Sequence, residues 1–213
     1  LIIPCNKVTA IVGVSGSGKT TLMKLLLKFY EPEKGEVLIG NSQLKNISQS
    51  AWRSNIGAVM QEGFIFSDTI ANNIAIGVDR IDKEKLLYAA DVANIKEYIS
   101  ELPLGFNTKI GAEGLGMSTG QKQRLLIARA VYKNPEVLFF DEATSALDAN
   151  NEKEIMKKLD IFFKDKTVVV IAHRLSTVMN ADQIVVLDKG KIIEIGSHSA
   201  LVGQKGNDFV LVR

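Results

Sequence analysis

Short apolar runs that end at a polar residue recur along the chain. Four of them, each with the residue that follows, are Val8–Val12 before Gly13, Ile56–Met60 before Gln61, Val137–Phe140 before Asp141 and Val168–Ala172 before His173. The runs are mostly continuous and rich in β-branched residues, which is typical of strands covered on both faces. Patterns with helical spacing separate them, at Lys19–Phe29, Lys83–Val92, Ser118–Tyr132 and Asn151–Phe163. Strands that alternate with helices predict an α/β fold with a mostly parallel sheet.

The late part of the chain has a different pattern. Gln183–Leu187 and Ile192–Ile195 are two further apolar runs, joined by a short polar stretch that contains Gly190. This arrangement predicts two antiparallel strands and a tight turn. Lys34–Ile39 is a candidate for another antiparallel strand. We therefore expect a small antiparallel β subregion beside the parallel core.

The polar residues at the strand ends indicate where a ligand binds. In open parallel sheets, ligands bind outside the carboxyl ends of the strands. The four strand ends carry a glycine-rich turn, an amide, an acidic pair and a histidine. The pattern therefore predicts one polar crevice at a single edge of the sheet.

Composition narrows the class without giving a function. The 213 residues include 26 basic and 24 acidic side chains, a net charge of +2, which by itself indicates neither a nucleic acid nor an anionic membrane as partner. One cysteine, Cys5, excludes an internal disulfide framework. No apolar run reaches the roughly 18 residues that span a bilayer. Glu154 and Lys158 are spaced i, i+4, which predicts a simple ion pair on a solvated helix face.

The stretch Gly13–Thr20 reads GVSGSGKT and matches the phosphate-loop pattern G-x-x-x-x-G-K-[ST] in full. Its glycines let successive backbone N–H groups converge on phosphate oxygens, and the following helix adds its N-terminal dipole. Lys19 would neutralise the β and γ phosphates, and the Thr20 hydroxyl would bind Mg²⁺. The alternative is a glycine turn that binds nothing, which the strand before the loop and the helix after it disfavour.

Asp141 and Glu142 follow a buried strand and suit the second half of such a site. The aspartate can hold Mg²⁺ through water, and the glutamate is a candidate general base for an attacking water. Alone, an apolar run followed by two acids is more simply a solvated helix cap. The phosphate loop upstream favours the functional interpretation.

Ser118 fits the N-cap of a helix, and Gln121 completes a capping box. A second helix N-terminus suited to an anion results. The alternative is a simple helix start with a basic first turn.

These elements together resemble the ATPase domain of ABC transporters, over nearly the whole chain. The matching motifs, in the family's order, are the phosphate loop, Gln61, Ser118–Gln121, Asp141-Glu142, Ser145–Asp148 and His173. The stretch after Gln61, with Phe66–Ile70 and Asn73-Ile74, resembles the exporter branch. Gly120–Arg124 with Ile127–Ala130 is similar to bacterial peptide and bacteriocin exporters.

The resemblance implies Mg²⁺-dependent ATP hydrolysis, with ATP and Mg²⁺ as cofactors. The residues that would hold the phosphates are Gly13, Ser15, Gly16, Ser17, Gly18, Lys19, Thr20 and Thr21. Thr20, Gln61 and Asp141 would bind Mg²⁺. Glu142 would act as the base, Gln61 would position the water, and His173 would contact the γ-phosphate.

The resemblance also implies partners. A second such domain, identical or not, would pair head to tail with this one, so that Ser118, Gly120 and Gln121 close over the opposite ATP and Asp148 lies at the interface. The remaining implications are a helical subdomain at about residues 62–133 within the P-loop core, a transmembrane domain, a peptide cargo, no nucleic acid, and a place on the cytoplasmic face of the bacterial inner membrane.

The sequence departs from the family pattern in three ways. Thr119 stands where a glycine is usual, and we expect activity at an altered rate. Ala112, followed by Glu113, stands where exporters carry a glutamate that faces the transmembrane domain. The chain begins twelve residues before the loop, without the upstream aromatic residue on which adenine stacks. We therefore expect weaker nucleotide affinity, and a longer natural protein with transmembrane helices upstream.

Two other classes of function stay open at the level of sequence. One is an ABC ATPase without a transmembrane partner that remodels ribosomes or DNA, which the near-neutral charge disfavours. The other is a P-loop kinase, which would not need Ser118–Gln121 or Asp148. Phosphate release without an added acceptor separates hydrolysis from phosphoryl transfer.

Overall fold

The computed structural model describes residues 1–61, 63–112, 114–141, 147, 149–172 and 178–203. The strands are β1 Val8–Val12, β2 Leu38–Ile39, β3 Ser42–Gln43, β4 Ile56–Val59, β5 Asp68–Thr69, β6 Lys109–Ile110, β7 Val137–Asp141, β8 Thr167–Ile171, β9 Gln183–Asp188 and β10 Lys191–Gly196. The helices are α1 Lys19–Leu26, α2 Gln49–Asn55, α3 Ile70–Ile74, α4 Lys83–Val92, α5 Lys96–Glu101, α6 Thr119–Lys133, α7 Ala149–Phe162 and α8 His198–Gly203. None of the helices in these ranges is long and apolar enough to cross a membrane.

The chain forms two compact units. The first contains residues 1–56, 136–142 and 165–213, and the second contains residues 57–135 and 143–164. In the first unit, neighbouring strands of the main sheet follow the order β10-β9-β1-β8-β7. The pairs β1–β8, β1–β9 and β7–β8 are parallel, and β9–β10 is antiparallel. The predicted α/β fold with a mostly parallel sheet is confirmed.

The core of the first unit is built from the strands that the continuous apolar runs predict. Ile11, Leu138 and Ile184, from three different strands, are completely buried. Central strands of a parallel sheet are covered on both faces, which explains why their apolar residues do not alternate with polar ones.

The hairpin that the sequence predicts is present, but its place in the fold differs from the expectation. Strand β9 lies inside the main sheet, parallel to β1, and β10 forms an antiparallel edge. Lys189 and Gly190 both have positive φ angles, 46° and 75°, as a two-residue hairpin turn requires. The small antiparallel sheets lie elsewhere, in β2–β3 and β5–β6. Of the predicted strand Lys34–Ile39, only Leu38–Ile39 forms a strand, because Gly35, with φ of 80°, interrupts the extended backbone; the Val37 carbonyl accepts one further bond from the Leu44 amide.

Helix α1 is shorter than its apolar pattern predicts. It ends at Leu26, because Lys28 adopts a left-handed conformation with φ of 58°. The Phe29 amide donates to Lys24 O and the Lys28 amide to Leu25 O, the paired bonds of a Schellman motif. The Lys28 ammonium then bonds the carbonyls of Lys45 and Ile47. A lysine thus takes the place that glycine usually occupies at a helix end.

In the second unit, the interpretation of Glu154 and Lys158 as a simple helix-surface pair is wrong. Glu154 Oε2 accepts a hydrogen bond of 3.1 Å from Asn94 Nδ2. Lys158 Nζ bonds both the carbonyl of Asp91, at 2.8 Å, and its carboxylate, at 3.2 Å. Both side chains therefore connect α7 to the end of α4, a contact that i, i+4 spacing alone does not reveal.

Candidate functional site

The loop that follows β1 leaves no space for a side chain at its first glycine. A Cβ added to Gly13 would lie 2.2 Å from the carbonyl oxygen of Leu187 and 2.7 Å from Ser17 Oγ. Ser17 is almost completely buried, and its hydroxyl has no hydrogen-bond partner among the described residues. The loop is therefore a closely packed backbone cradle, and the Ser17 hydroxyl inside it can still accept or donate a hydrogen bond.

Lys19 folds back over this cradle. Its ammonium donates to the carbonyl oxygens of Gly13, at 2.8 Å, and Val14, at 3.0 Å. The residue is only 7% exposed. A buried cation held against the loop backbone provides the charge that a bound polyphosphate requires.

The start of α1 adds backbone donors. Gly18 is the N-cap, with φ of 102° and no side-chain capping bond. The first intrahelical bond runs from the Leu22 amide to Gly18 O, so the amides of residues 19–21 precede it. Such amides, together with the helix dipole, form a site for anions.

The β9–β10 turn braces the loop from outside. The Gly190 amide donates to the carbonyl oxygen of Ser17 at 2.9 Å. In a planar trans peptide, the C=O and N–H point in opposite directions. The Gly18 N–H therefore points away from the turn. The sequence analysis missed this role of Gly190, for which a tight turn distant in sequence gives no signal.

Asp141 lies at the same edge of the sheet as the loop. It is the last residue of β7 and is nearly buried. In the register, Asp141 pairs with Ile171, and Ile171 pairs with Ile11, two residues before Gly13. Two strand spacings place Asp141 and Ile11 about 10 Å apart. A carboxylate at this distance from the loop would suit a hydrated Mg²⁺ bound together with phosphates.

The Asp141 carboxylate and the Thr20 hydroxyl are oxygen donors, the kind of ligand that Mg²⁺ takes. Among the described residues, no three His, Cys, Asp or Glu side chains form a group that could hold a metal ion. Mg²⁺ keeps several waters and takes few protein ligands when phosphates supply the rest.

The second unit carries two further candidate groups. Gln61 is exposed and follows β4 by two residues. Ser118 caps α6 with the predicted capping box: its Oγ accepts from the Gln121 amide at 3.2 Å, and its own amide donates to Gln121 Oε1 at 2.8 Å. The box is confirmed, and it fixes the N-terminus of α6 at Ser118–Gln121. Thr119 is exposed there, so the described part of the chain leaves space for its side chain.

Glu142, Asp148 and His173 lie outside the described residues, as do Ser145-Ala146 and Glu113. Their assigned roles therefore stay predictions from the sequence.

A polar cluster that the sequence analysis did not single out lies behind the segment after Gln61. Asn73 is completely buried, and Arg129 from α6 donates to its carbonyl at 2.8 Å. Burial lowers the pKa of the Arg129 guanidinium. The sequence gives no local signal for this cluster, because Asn73 and Arg129 lie 56 residues apart.

A glycine-rich loop between a parallel strand and a helix, with a buried lysine at the helix start and an acid on a nearby strand end, defines a P-loop nucleotide-binding domain. The profile of the family described as ABC transporter matches residues 1–145. The chain belongs to this family and is the ATP-binding domain of an ABC exporter.

Its relatives include several kinds of transporter. The chain is 48% identical over 205 residues, 96% of its length, to the ATP-dependent lipid A-core flippase of Haemophilus influenzae (strain 86-028NP). It is 47% identical over 204 residues, also 96% of its length, to the alpha-hemolysin translocation ATP-binding protein HlyB of Escherichia coli. Among solved structures, it superposes on a bacterial Atm1-family ABC exporter with ATP bound, with a TM-score of 0.90, 41% identity and 96% of the chain covered.

The chain spans only part of each of these proteins. It covers 35% of the flippase, 29% of HlyB and 36% of the Atm1-family chain. The shared portion is therefore the ATP-binding domain.

Proposed function

We propose that this chain is the motor of an exporter that couples Mg²⁺-dependent ATP hydrolysis to transport across a membrane. The observation that carries the proposal is the phosphate loop itself: the tight cradle at Gly13, with buried Lys19 held against it. A loop that only connected a strand and a helix would not need to bury an ammonium.

The chemistry assigned to the site follows from its residues. Magnesium, when bound with ATP, neutralises charge on the phosphates; Thr20, Asp141 and Gln61 would hold it. The loop amides and Lys19 orient the phosphates. Glu142 takes a proton from water as the water oxygen attacks the γ-phosphorus, and the bond to the bridging oxygen breaks to leave ADP and phosphate. His173 contacts the γ-phosphate.

Completion of the site would need a second copy or a related chain. We propose that residues 62–133 form a helical subdomain whose Ser118, Gly120 and Gln121 close over the ATP of the opposite domain, with Asp148 at the interface. The capping box supports this assignment, because it leaves a rigid helix N-terminus facing outward at Ser118. ATP then holds the pair together, and hydrolysis releases it.

We propose a polypeptide cargo and a place on the cytoplasmic face of the membrane. The support is the similarity to a protein named for hemolysin translocation, together with the stretch Gly120–Arg124. The equally similar lipid A-core flippase makes a lipid the competing cargo. With the full-length protein in vesicles, ATP-dependent uptake of a leader-bearing peptide supports the proposal, and uptake of labelled lipid A alone contradicts it.

The catalytic assignment is tested with two variants of this chain. Glu142→Gln keeps the shape of the side chain but removes the base, so ATP binding should persist while phosphate release falls at least about 10²-fold. Lys19→Ala should lose ATP binding, because the loop keeps no cation for the phosphates. Unchanged turnover in the first variant, or intact binding in the second, would remove that residue from its role.

A further inference from the structure

The segment that follows Gln61 lies directly on helix α6. A Cβ added to Gly63 would lie 2.1 Å from Leu126 Cδ1, so the Gly63 backbone packs against the Leu126 side chain. One turn further along the helix, Arg129 Nη1 donates to the carbonyl oxygen of Phe64 at 3.0 Å. The Arg129 guanidinium also lies 5.7 Å from the centre of the Phe66 ring. Residues 63–66 thus follow α6 for about one turn.

Asn73 holds the same segment from the other side. Its Oδ1 accepts from the Phe66 amide at 2.9 Å, and its Nδ2 donates to the carbonyls of Phe66 and Thr69, both at 3.0 Å. The side chain is completely buried, so a polar group that lost one of these bonds would have no water to replace the lost partner. Asn73 therefore fixes the position of Phe66 in the unit.

Arg129 joins the two sets of contacts. Its Nε donates to the Asn73 carbonyl at 2.8 Å, and its Nη2 lies 3.4 Å from Asn73 Oδ1. One planar guanidinium thus spans the carbonyls of Phe64 and Asn73, a fixed geometry that a lysine, with one nitrogen on a flexible stem, cannot reproduce.

We propose that Arg129 is a positioning residue that holds segment 63–66 at a fixed place on α6, the helix that Ser118 caps. By holding this segment, Arg129 also positions Gln61, which comes just before it in the chain. The inference rests on the proposed function, in which Gln61 serves the ATP of its own chain and Ser118 serves the ATP of the opposite chain. With segment 63–66 held on α6, a displacement of Gln61 at one ATP would move the helix whose N-terminus serves the other. Arg129 acts through Gln61 and Ser118 and touches no nucleotide itself.

The test compares Arg129→Lys with Arg80→Lys, the same change at an exposed arginine of the same unit. Arg129→Lys keeps the positive charge but removes the planar guanidinium that bonds the carbonyls of Phe64 and Asn73. We expect kcat per folded molecule to fall roughly ten- to a hundredfold while KM for ATP changes less than about twofold, because misplaced groups slow the chemistry and the phosphate loop is untouched. Hydrogen exchange across residues 63–68 should accelerate while β1 stays protected.

Gly63→Ala provides an independent second variant. Its added Cβ would lie 2.1 Å from Leu126 Cδ1, and because Leu126 is only 7% exposed its side chain has little room to turn aside, so the segment shifts while Arg129 is unchanged; we expect the same fall in kcat with KM unchanged. A kcat in both variants equal to that of Arg80→Lys, or unchanged exchange at 63–68 in Arg129→Lys, would overturn the proposal. If the unmodified chain releases no phosphate, the proposed function fails, and the exchange measurement still decides whether Arg129 holds the segment.

Discussion

At the scale of single residues, the phosphate loop depends on contacts with parts of the chain that are distant in sequence. Gly13 lies against the Leu187 carbonyl, and the Ser17 carbonyl accepts from Gly190. The loop motif can be recognised from eight consecutive residues, which include its lysine and its glycines. The contacts that hold the loop in shape come from β9 and the turn after it, which no local pattern connects to the loop.

Gly13→Ala should show how strict this packing is. The added methyl group would meet backbone at 2.2 Å, and backbone cannot rotate away as a side chain can. We expect the free energy of unfolding to fall by about 1–3 kcal/mol, with loss of ATP binding, as measured by urea unfolding and nucleotide titration. Gly116→Ala is the matched control, because nothing lies within 4 Å of its added Cβ, and it should change stability by less than about 0.5 kcal/mol. Equal stability of the two variants would show that the loop is not closely packed.

At the scale of elements, the strands of the main sheet and helix α6 follow their patterns closely, and the exceptions have local causes. Helix α6 begins where Ser118 and Gln121 predict, because a capping box depends on only four consecutive residues and can be recognised from the local sequence. Helix α1 ends early because Lys28 adopts a left-handed backbone conformation. The hydrogen bonds from its side chain to the carbonyls of residues 45 and 47 stabilise this conformation. The helical pattern of the sequence does not predict these bonds.

The contribution of the α6 cap can be measured directly. Ser118→Ala removes the oxygen that accepts from the Gln121 amide, and we expect the free energy of unfolding to fall by about 1 kcal/mol. Thr119→Ala, at the adjacent exposed position, is the control and should have little effect. A cap that served ATP alone would leave the unfolding of Ser118→Ala in the absence of nucleotide unchanged, contrary to this account.

The junction between β1 and β9 predicts a pH dependence. Partial burial raises the pKa of the Asp182 carboxyl, but hydrogen bonds from the Val8 amide and the Lys7 ammonium outweigh it and lower the pKa below its usual value. A lowered folded-state pKa contributes stability above the unfolded pKa of about 3.9, and this contribution disappears as the pH falls through the folded value.

Asp182→Asn should therefore be less stable than the unmodified chain at pH 7, by at most about 1 kcal/mol because the carboxylate is 40% exposed. The difference should shrink as the pH falls below about 4. Urea unfolding at several pH values measures it, with exposed Asp79→Asn as the control. A difference that grows on acidification would contradict the sign assigned here.

At the scale of the whole molecule, the two compact units carry different parts of the chemistry. The first holds the phosphate loop and Asp141, and the second holds Gln61 and the Ser118 cap. The order of motifs along the sequence predicted this set of residues. It did not reveal the cross-connections within the second unit, such as Arg129 to Asn73 or Lys158 to Asp91, because side chains 56 and 67 residues apart share no local pattern.

The central claim is that this domain hydrolyses ATP in a site completed by a second copy or a related chain. The most direct test is the rate of phosphate release from Mg-ATP, without any added acceptor, as a function of the concentration of this chain. The account predicts release whose rate rises more steeply than the first power of concentration, and its loss in Glu142→Gln. Absence of phosphate release at every concentration, or release only when an acceptor is supplied, would contradict it.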